Sequence, residues 1–319
     1  MTIQKNDRQS RKAAIMTDSN SALAPEEAAW LGVTVLQTPY MIDGIEQIDS
    51  AAGNSGFENS SAEHPALKNL AEKMMAGAEV STSQIAPGVY MDTWDRLLED
   101  HDEVLFIPLS SALSGEMQTA RMLAEDDDYR GKVFVTDNLR VSVTQKEAVY
   151  EACALRDAGK SASEILEILE KSAGDASIYV TTPTLKYLKK GGRISPAAAA
   201  LGTILNIKPV LSINGDKPDL AAKVRSSRKA EDAMIQAIRN DIDGKYQGRQ
   251  LRFAIASTMS EEQTKKWKSK VMAAFHLAEL TADILPPVLT CHIGPGAFGI
   301  AVIAVSKEAE GLTPSCLAS

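Results

Sequence analysis

The sequence predicts an α/β protein made of two α/β domains. Short apolar runs bounded by turn formers alternate with helix-patterned segments along most of the chain, the pattern of strands and helices stacked in layers. The alternation recurs on both sides of the helix stop at Gly159. The chain has 319 residues, about twice the ~150 of one ordinary domain. The expected domains are therefore 13–158 and 159–306.

Ala13-Ala14-Ile15-Met16 reads as a strand running into the turn formers Thr17-Asp18-Ser19-Asn20-Ser21. Pro25 opens a helix with Glu26 and Glu27 in its first turn, where the positive end of the helix dipole favours carboxylates. Gly32 closes it, and Val33-Thr34-Val35-Leu36 is the next strand. Residues 43–61 are rich in Gly, Ser and Asn and read as a loop, followed by a helix over 65–75. Ser81-Thr82-Ser83-Gln84 is a polar cluster ahead of Pro87, which opens a helix to about Glu99. The run Val104-Leu105-Phe106-Ile107-Pro108 has the character of a buried strand. It leads through Leu109-Ser110-Ser111-Ala112-Leu113-Ser114-Gly115 to a helix ending near Glu125. A strand over 133–137 and a helix over 142–158 complete the first unit.

The second unit opens with a helix over 163–171 and a strand over 177–181. Thr182-Pro183 is expected to be the N-cap and first residue of a helix closed by Gly191-Gly192. Ser195-Pro196 repeats that arrangement ahead of 197–205. Apolar runs at 209–213 and 220–224 flank Asn214-Gly215-Asp216, a hairpin signal. A helix over 229–242, a strand over 251–256 and a helix over 261–275 follow. Residues 288–305 read as two apolar strands around a Gly/Pro turn.

Composition limits the function classes. Lys and Arg total 34 against 42 Asp and Glu, a net charge of −8, and no basic recognition helix is evident. That argues against nucleic-acid binding or transcriptional regulation, which need a cationic face. Three cysteines without CxxC spacing and four scattered histidines offer neither a disulfide framework nor a metal-site pattern. The polar N-terminus lacks the apolar stretch of a secretion signal, so a cytoplasmic protein without a cofactor is expected.

Four motifs have chemical potential, and each also has an ordinary structural reading. Gly294-Pro295-Gly296-Ala297-Phe298-Gly299 matches G-x-G-x-x-G, but a strand-like run follows where a dinucleotide fingerprint needs a helix. Ser110-Ser111 and Thr82-Ser83 are hydroxyl pairs ahead of helices, usable as caps or as donors to an anion. His292 sits beside Cys291, where strand alternation would send the two side chains to opposite faces. Such a histidine serves structure, anion binding or proton transfer. Arg193 follows the diglycine, placed to reach a phosphate or a partner protein.

Taken together, these segments resemble the DegV family of bacterial fatty-acid-binding proteins. The resemblance rests on Thr17-Asp18-Ser19, Thr82-Ser83-Gln84, the segment 109–115, the run 185–195 centred on Lys190-Gly191-Gly192-Arg193-Ile194-Ser195, the run 201–209, and His292-Ile293-Gly294-Pro295-Gly296. It implies the EDD-type fold with a lipid tunnel between the two domains. Thr82, Ser111 and His292 would hold the carboxylate of a long-chain fatty acid, with Ser83 and Ser110 as neighbours. Arg193 would dock a separate fatty acid kinase protein that phosphorylates the bound carboxyl group. On this reading the protein is a lipid-binding, substrate-presenting subunit rather than an enzyme, and transient membrane contact is compatible with it. The sequence departs from the family where Ile85-Ala86 separate the TSQ motif from Pro87, and in the length of the loop at 50–61.

Physics is consistent with that implication. A sixteen-carbon chain offers about 11 kcal/mol of gross burial at ~0.8 kcal/mol per methylene, before ordering costs. The head group then needs orientation more than Coulombic attraction. The alternative is a likeness to the substrate-holding part of dihydroxyacetone kinases, with His292 gripping a small carbonyl compound. A long apolar cavity favours lipid, and a small wet pocket favours the triose.

Overall fold

The computed structural model describes residues 13–48, 65–200 and 207–314. The first half runs β1 (Ala14–Asp18), a 3-10 turn Ser19–Ser21, α1 (Pro25–Leu31), β2 (Val33–Leu36), β3 (Tyr40–Ile42), β4 (Ile45–Gln47), α2 (Pro65–Met75) and β5 (Val80–Thr82). It continues with α3 (Pro87–Asp100), β6 (Val104–Ile107), α4 (Glu116–Ala124), β7 (Val133–Val135), α5 (Val143–Asp157) and α6 (Ala162–Lys171). The second half holds β8 (Ala176–Thr181), α7 (Lys186–Lys190), α8 (Pro196–Ala199), β9 (Lys208–Ile213), β10 (Asp219–Val224) and α9 (Ser227–Gly244). It ends with β11 (Leu251–Ser257), α10 (Glu261–Phe275), β12 (Thr281–Ile284), α11 (Pro287–Ile293) and β13 (Phe298–Ala304).

The first sheet is parallel, in the order β2-β1-β6-β7, with Ile15 opposite both Val33 and Leu105. Successive side chains alternate between its faces. Ile15 and Leu105 pack against α5 and α6, while Met16 and Phe106 pack against Tyr90 and Trp94 of α3. Both faces are covered, which is why β6 reads as an unbroken apolar run. The strand order reverses between β1 and β6, and the carboxyl ends of the strands at such a reversal form a crevice.

The second sheet is mixed, in the order β10-β9-β8-β13-β11-β12. One face packs Tyr179, Ile300 and Val302 against Met234 and Ile238 of α9 and Trp267 of α10. The opposite face carries Ala254, Ala301 and Ile303 and meets Val143 of α5 and Leu285. That face looks toward the crevice of the first sheet. A small antiparallel sheet, β4-β3-β5, places Thr82 opposite Tyr40.

Several local expectations are corrected. Residues 287–293 form a helix, not a strand: Pro287 supplies its first residue and Gly294, at φ +85°, ends it. Apolarity was uninformative there because α11 is buried against Leu70, Met74 and Val80. Thr182 does not cap a helix; its hydroxyl donates to the carbonyl of Ile293, and α7 starts only at Lys186. The polar cluster at 81–84 begins as strand β5, and residues 43–47, expected as loop, are the turn and second strand of the hairpin β3–β4. Helix α6 packs Ile165 and Leu169 into the core of the first sheet. The expectations for 50–61 and 201–206 fall outside the described residues.

Candidate functional site

A cavity with about 1120 Å³ of atom-free space, open solvent at its mouth included, is lined by strand residues of the second sheet and by segments that follow the carboxyl ends of β1, β2 and β6 in the first. From the second sheet come Ile178 and Val180 of β8 and Gly299 and Ala301 of β13, positions two residues apart and so on one face of each strand. Leu285, Val288 and Leu289 close the apolar wall. The polar wall comes from the end of β5, the starts of α4 and α5, and the turn after β1.

Thr82 and His292 meet at this cavity, Thr82 Oγ1 lying 2.9 Å from His292 Nε2. The helix α11 carries the imidazole, and β5 carries the hydroxyl in register with Tyr40. Burial, and secondarily the Arg193 cation, push the His292 pKa down to about 4. The ring is therefore neutral at pH 7, carrying one N–H and one acceptor nitrogen. Its other edge is set by Gly191: a Cβ there would lie 2.4 Å from Nδ1, so any larger residue would push the ring aside. Cys291 faces the core beside Val288, and burial pushes its thiol up to about 12. The helical geometry replaces the strand alternation expected for Cys291 and His292, and this thiol is no nucleophile at neutral pH.

Ser83 also lines the cavity, and its amide donates to Pro39. Ser110 and Ser111 are not among its lining residues. The Ser111 hydroxyl donates to Asp137, and Ser110 Oγ accepts from the amide of Ala112. Ser114, three residues on, lines the cavity instead. Arg193 lines it too, its guanidinium donating to the carbonyls of Leu113 and Gly191. The structure thus brings together Thr82, Ser83, His292 and Arg193, and leaves the Ser110–Ser111 pair turned toward Asp137 and the backbone.

Sequence reasoning missed three wall residues. Asn20 follows β1, Glu116 opens α4 and Ser142 precedes α5, and all three are buried yet line the cavity. Asp18 organises this corner by accepting from the amides of Leu109 and Asn20 and from Gln145 Nε2. Glu116 accepts from the Tyr90 hydroxyl. Burial, and then the neighbouring Asp18, raise its pKa well above the usual carboxylate range. From sequence, Glu116 looked like any first-turn carboxylate. The signal that could have marked Ser142 is conformational: its φ of 55° is strained for a residue with a Cβ.

The glycine-rich match at 294–299 leads into strand β13, so it lacks the helix that a dinucleotide pyrophosphate needs. Among the described residues, no group of His, Cys, Asp and Glu side chains is placed to hold a metal ion. None of their helices is long and apolar enough to cross a membrane.

Comparison with known proteins gives a consistent picture. A family model described as an uncharacterised protein of the DegV family matches residues 12–305. A DegV domain-containing protein of Deinococcus radiodurans is 32% identical over 290 residues, which cover 91% of this chain and 97% of that protein. Among solved structures, a fatty-acid-binding DegV family protein from Thermus thermophilus is 28% identical with a TM-score of 0.80, covering 92% of this chain and 99% of its own. A stearic-acid-binding protein from Eubacterium ventriosum, 22% identical, shares the fold with a TM-score of 0.79 over 92% of this chain and 98% of its own.

Proposed function

The chain belongs to the DegV family, and from that premise we propose that it binds a long-chain fatty acid in the cavity between its two large sheets. The observation that carries the reading is the composition of the lining: an apolar wall from β8, β13 and Leu285, Val288 and Leu289, with the Thr82–His292 pair in the same cavity. A triose would leave most of that wall wet. The Thermus thermophilus relative, described as binding fatty acid, supports the same ligand class.

The neutral imidazole suits a carboxylate that must be oriented rather than gripped. With His292 Nε2–H donating to Thr82 Oγ1, the threonine hydroxyl is left to donate to a carboxylate oxygen. Ser83 and Ser114 also line the cavity and carry hydroxyls that can add donors. Ser111 joins that set only by releasing Asp137. A carboxylate held by hydroxyls keeps electron density on its free oxygen, as attack on a phosphoryl group requires. We therefore extend the proposal to presentation of that carboxylate to a separate kinase, with no phosphoryl transfer by this chain itself. Arg193, a half-buried lining residue near His292, is the residue proposed to touch the docked protein.

The test is titration of delipidated protein by calorimetry with palmitate and, separately, with dihydroxyacetone. Saturable one-to-one binding of palmitate alone is expected. Binding of dihydroxyacetone with no uptake of palmitate would overturn the reading in favour of a small-carbonyl site.

A further inference from the structure

His292 is the last residue but one of α11, and the chain just beyond it is held from both sides. Strand β13 begins at Phe298, opposite Thr181 of β8 and Ser257 of β11. The next residue after each flanking strand is a threonine, and both hydroxyls reach the turn that feeds β13. Thr182 Oγ1 donates to the carbonyl of Ile293 at 2.8 Å, a closer partner than the Thr184 carbonyl at 3.2 Å. Thr258 Oγ1 donates to the carbonyl of Gly294 at 2.9 Å. Ile293 and Gly294 are the two residues directly after His292. Thr258 Oγ1 also accepts from the amide of Ala297 at 2.9 Å, and its own amide donates to the Ala297 carbonyl at 2.8 Å. The proton and a lone pair of this hydroxyl are thus both engaged by the turn.

Close packing fixes the turn in other directions. Gly294 has a φ of +85°, and a Cβ there would lie 2.5 Å from the Tyr187 ring. A Cβ on Gly296 would lie 3.1 Å from Pro183. The Tyr187 hydroxyl in turn donates to the carbonyl of Met74. A helix of seven residues does little to fix its own last turn, because its final carbonyls lack partners within the helix. His292 stands on that last turn, and the two threonines supply the missing partners from the ends of paired strands.

We propose that Thr182 and Thr258 are positioning residues for the ligand's carboxylate, holding the end of α11 so that His292 Nε2 meets Thr82 Oγ1. Neither lines the cavity, so both act through His292 rather than on the ligand. The contact they protect is 2.9 Å long, and a displacement of about 0.5 Å is enough to loosen a site of this kind. Valine has the shape of threonine without the hydroxyl. At either position it strands a carbonyl, and the turn must shift to satisfy it.

This inference rests on the acyl reading of the cavity, and the experiment separates the two. The full chain is prepared as Thr182→Val, Thr258→Val and the two serine counterparts. Calorimetry gives the palmitate affinity of the delipidated proteins. NMR of labelled histidine gives the His292 pKa, the resonance being identified by its loss in His292→Gln. Each valine variant should bind palmitate about three- to fivefold more weakly, approaching the loss expected for His292→Phe. Its His292 pKa should climb from about 4 toward the ordinary 6.5 as the ring leaves its buried seat. Serine should restore both quantities. Adding Thr82→Val to a valine variant should cost little more, because the pair is already broken. Ser177→Ala is the control: it removes a buried hydroxyl from Tyr246 on the far face of the second sheet and should move neither quantity. Thermal melts establish folding, and the partly exposed Thr258 keeps the test available where the buried Thr182 does not tolerate valine. Folded valine variants with parental affinity and a His292 pKa still near 4 would overturn the inference. Weaker binding with an unmoved pKa would overturn it too, since the ring would then not have shifted. A shifted pKa in the variants of a parent that takes up no palmitate would sustain the positioning role and sink the acyl reading alone.

Discussion

Thr82 and His292 stand 210 positions apart in the chain and 2.9 Å apart across the cavity wall. One comes from an antiparallel strand at the edge of the first half, the other from a helix of the second. Their meeting makes the polar end of the cavity a product of the whole fold. Removing either hydrogen-bonding group should weaken palmitate binding by about fivefold, the worth of roughly 1 kcal/mol. In a cycle of Thr82→Val and His292→Phe, the double variant should lose less than the sum of the singles, because the groups act as a unit. Calorimetric titration of the four proteins measures this.

Gly191 controls the imidazole from behind. Its own backbone lies in the ordinary helical region, φ −76° and ψ −11°, so alanine is tolerated by the chain. The added Cβ would still displace the ring from 2.4 Å. Gly191→Ala should therefore leave the thermal midpoint near that of the parent and reduce palmitate affinity several-fold. Melting curves and titrations on the same sample separate the two effects.

The pH behaviour follows from His292. Its folded pKa is near 4, against about 6.5 in an unfolded chain. Between those values the unfolded state binds more protons, so this group adds stability as pH rises through the window, and the contribution is complete above about 6.5. Acidification to pH 4 should cost about 3 kcal/mol through this group. Urea unfolding of the parent and His292→Gln from pH 4 to 7 should show the parent's stability climbing more steeply. Palmitate affinity should stay flat from pH 6 to 8, because the imidazole does not titrate there.

A buried cation ties the two halves together. Lys146 on α5 reaches Glu27 of α1 at 2.9 Å and Asp283 of β12 at 3.2 Å, and it is 2% exposed. Lys146→Met leaves two carboxylates without their counter-charge and should cost about 3 kcal/mol. Adding Asp283→Leu should recover part of that loss, since the stranded charge is removed as well. Chemical denaturation of the single and double variants checks the order.

Much of the scaffold was legible because strands β1, β6 and β13 and helices α1, α3 and α10 carry strong local signals. Pro25, Pro87 and Ser260 mark helix starts, and Gly32 marks a stop. Helix α11 was not legible. Its seven residues are covered by the hairpin sheet, α2 and the second sheet, so no solvent-facing polar stripe marks a helical period. At the site, Thr82 and His292 were readable from their motifs, while the orientation of Ser111 was not. Whether a hydroxyl faces a cavity or Asp137 depends on the path of the 137–142 segment, which local spacing does not encode. Asn20, Glu116 and Ser142 escaped notice because their character is set by burial, a property of the assembled layers.

The central claim is occupancy of the cavity by an acyl chain. Native mass spectrometry of the protein purified from cells, followed by organic extraction and mass analysis, tests it most directly. One long-chain acid per protein molecule is the expected result. A protein that arrives empty, and then also takes up neither palmitate nor oleate, would contradict the account.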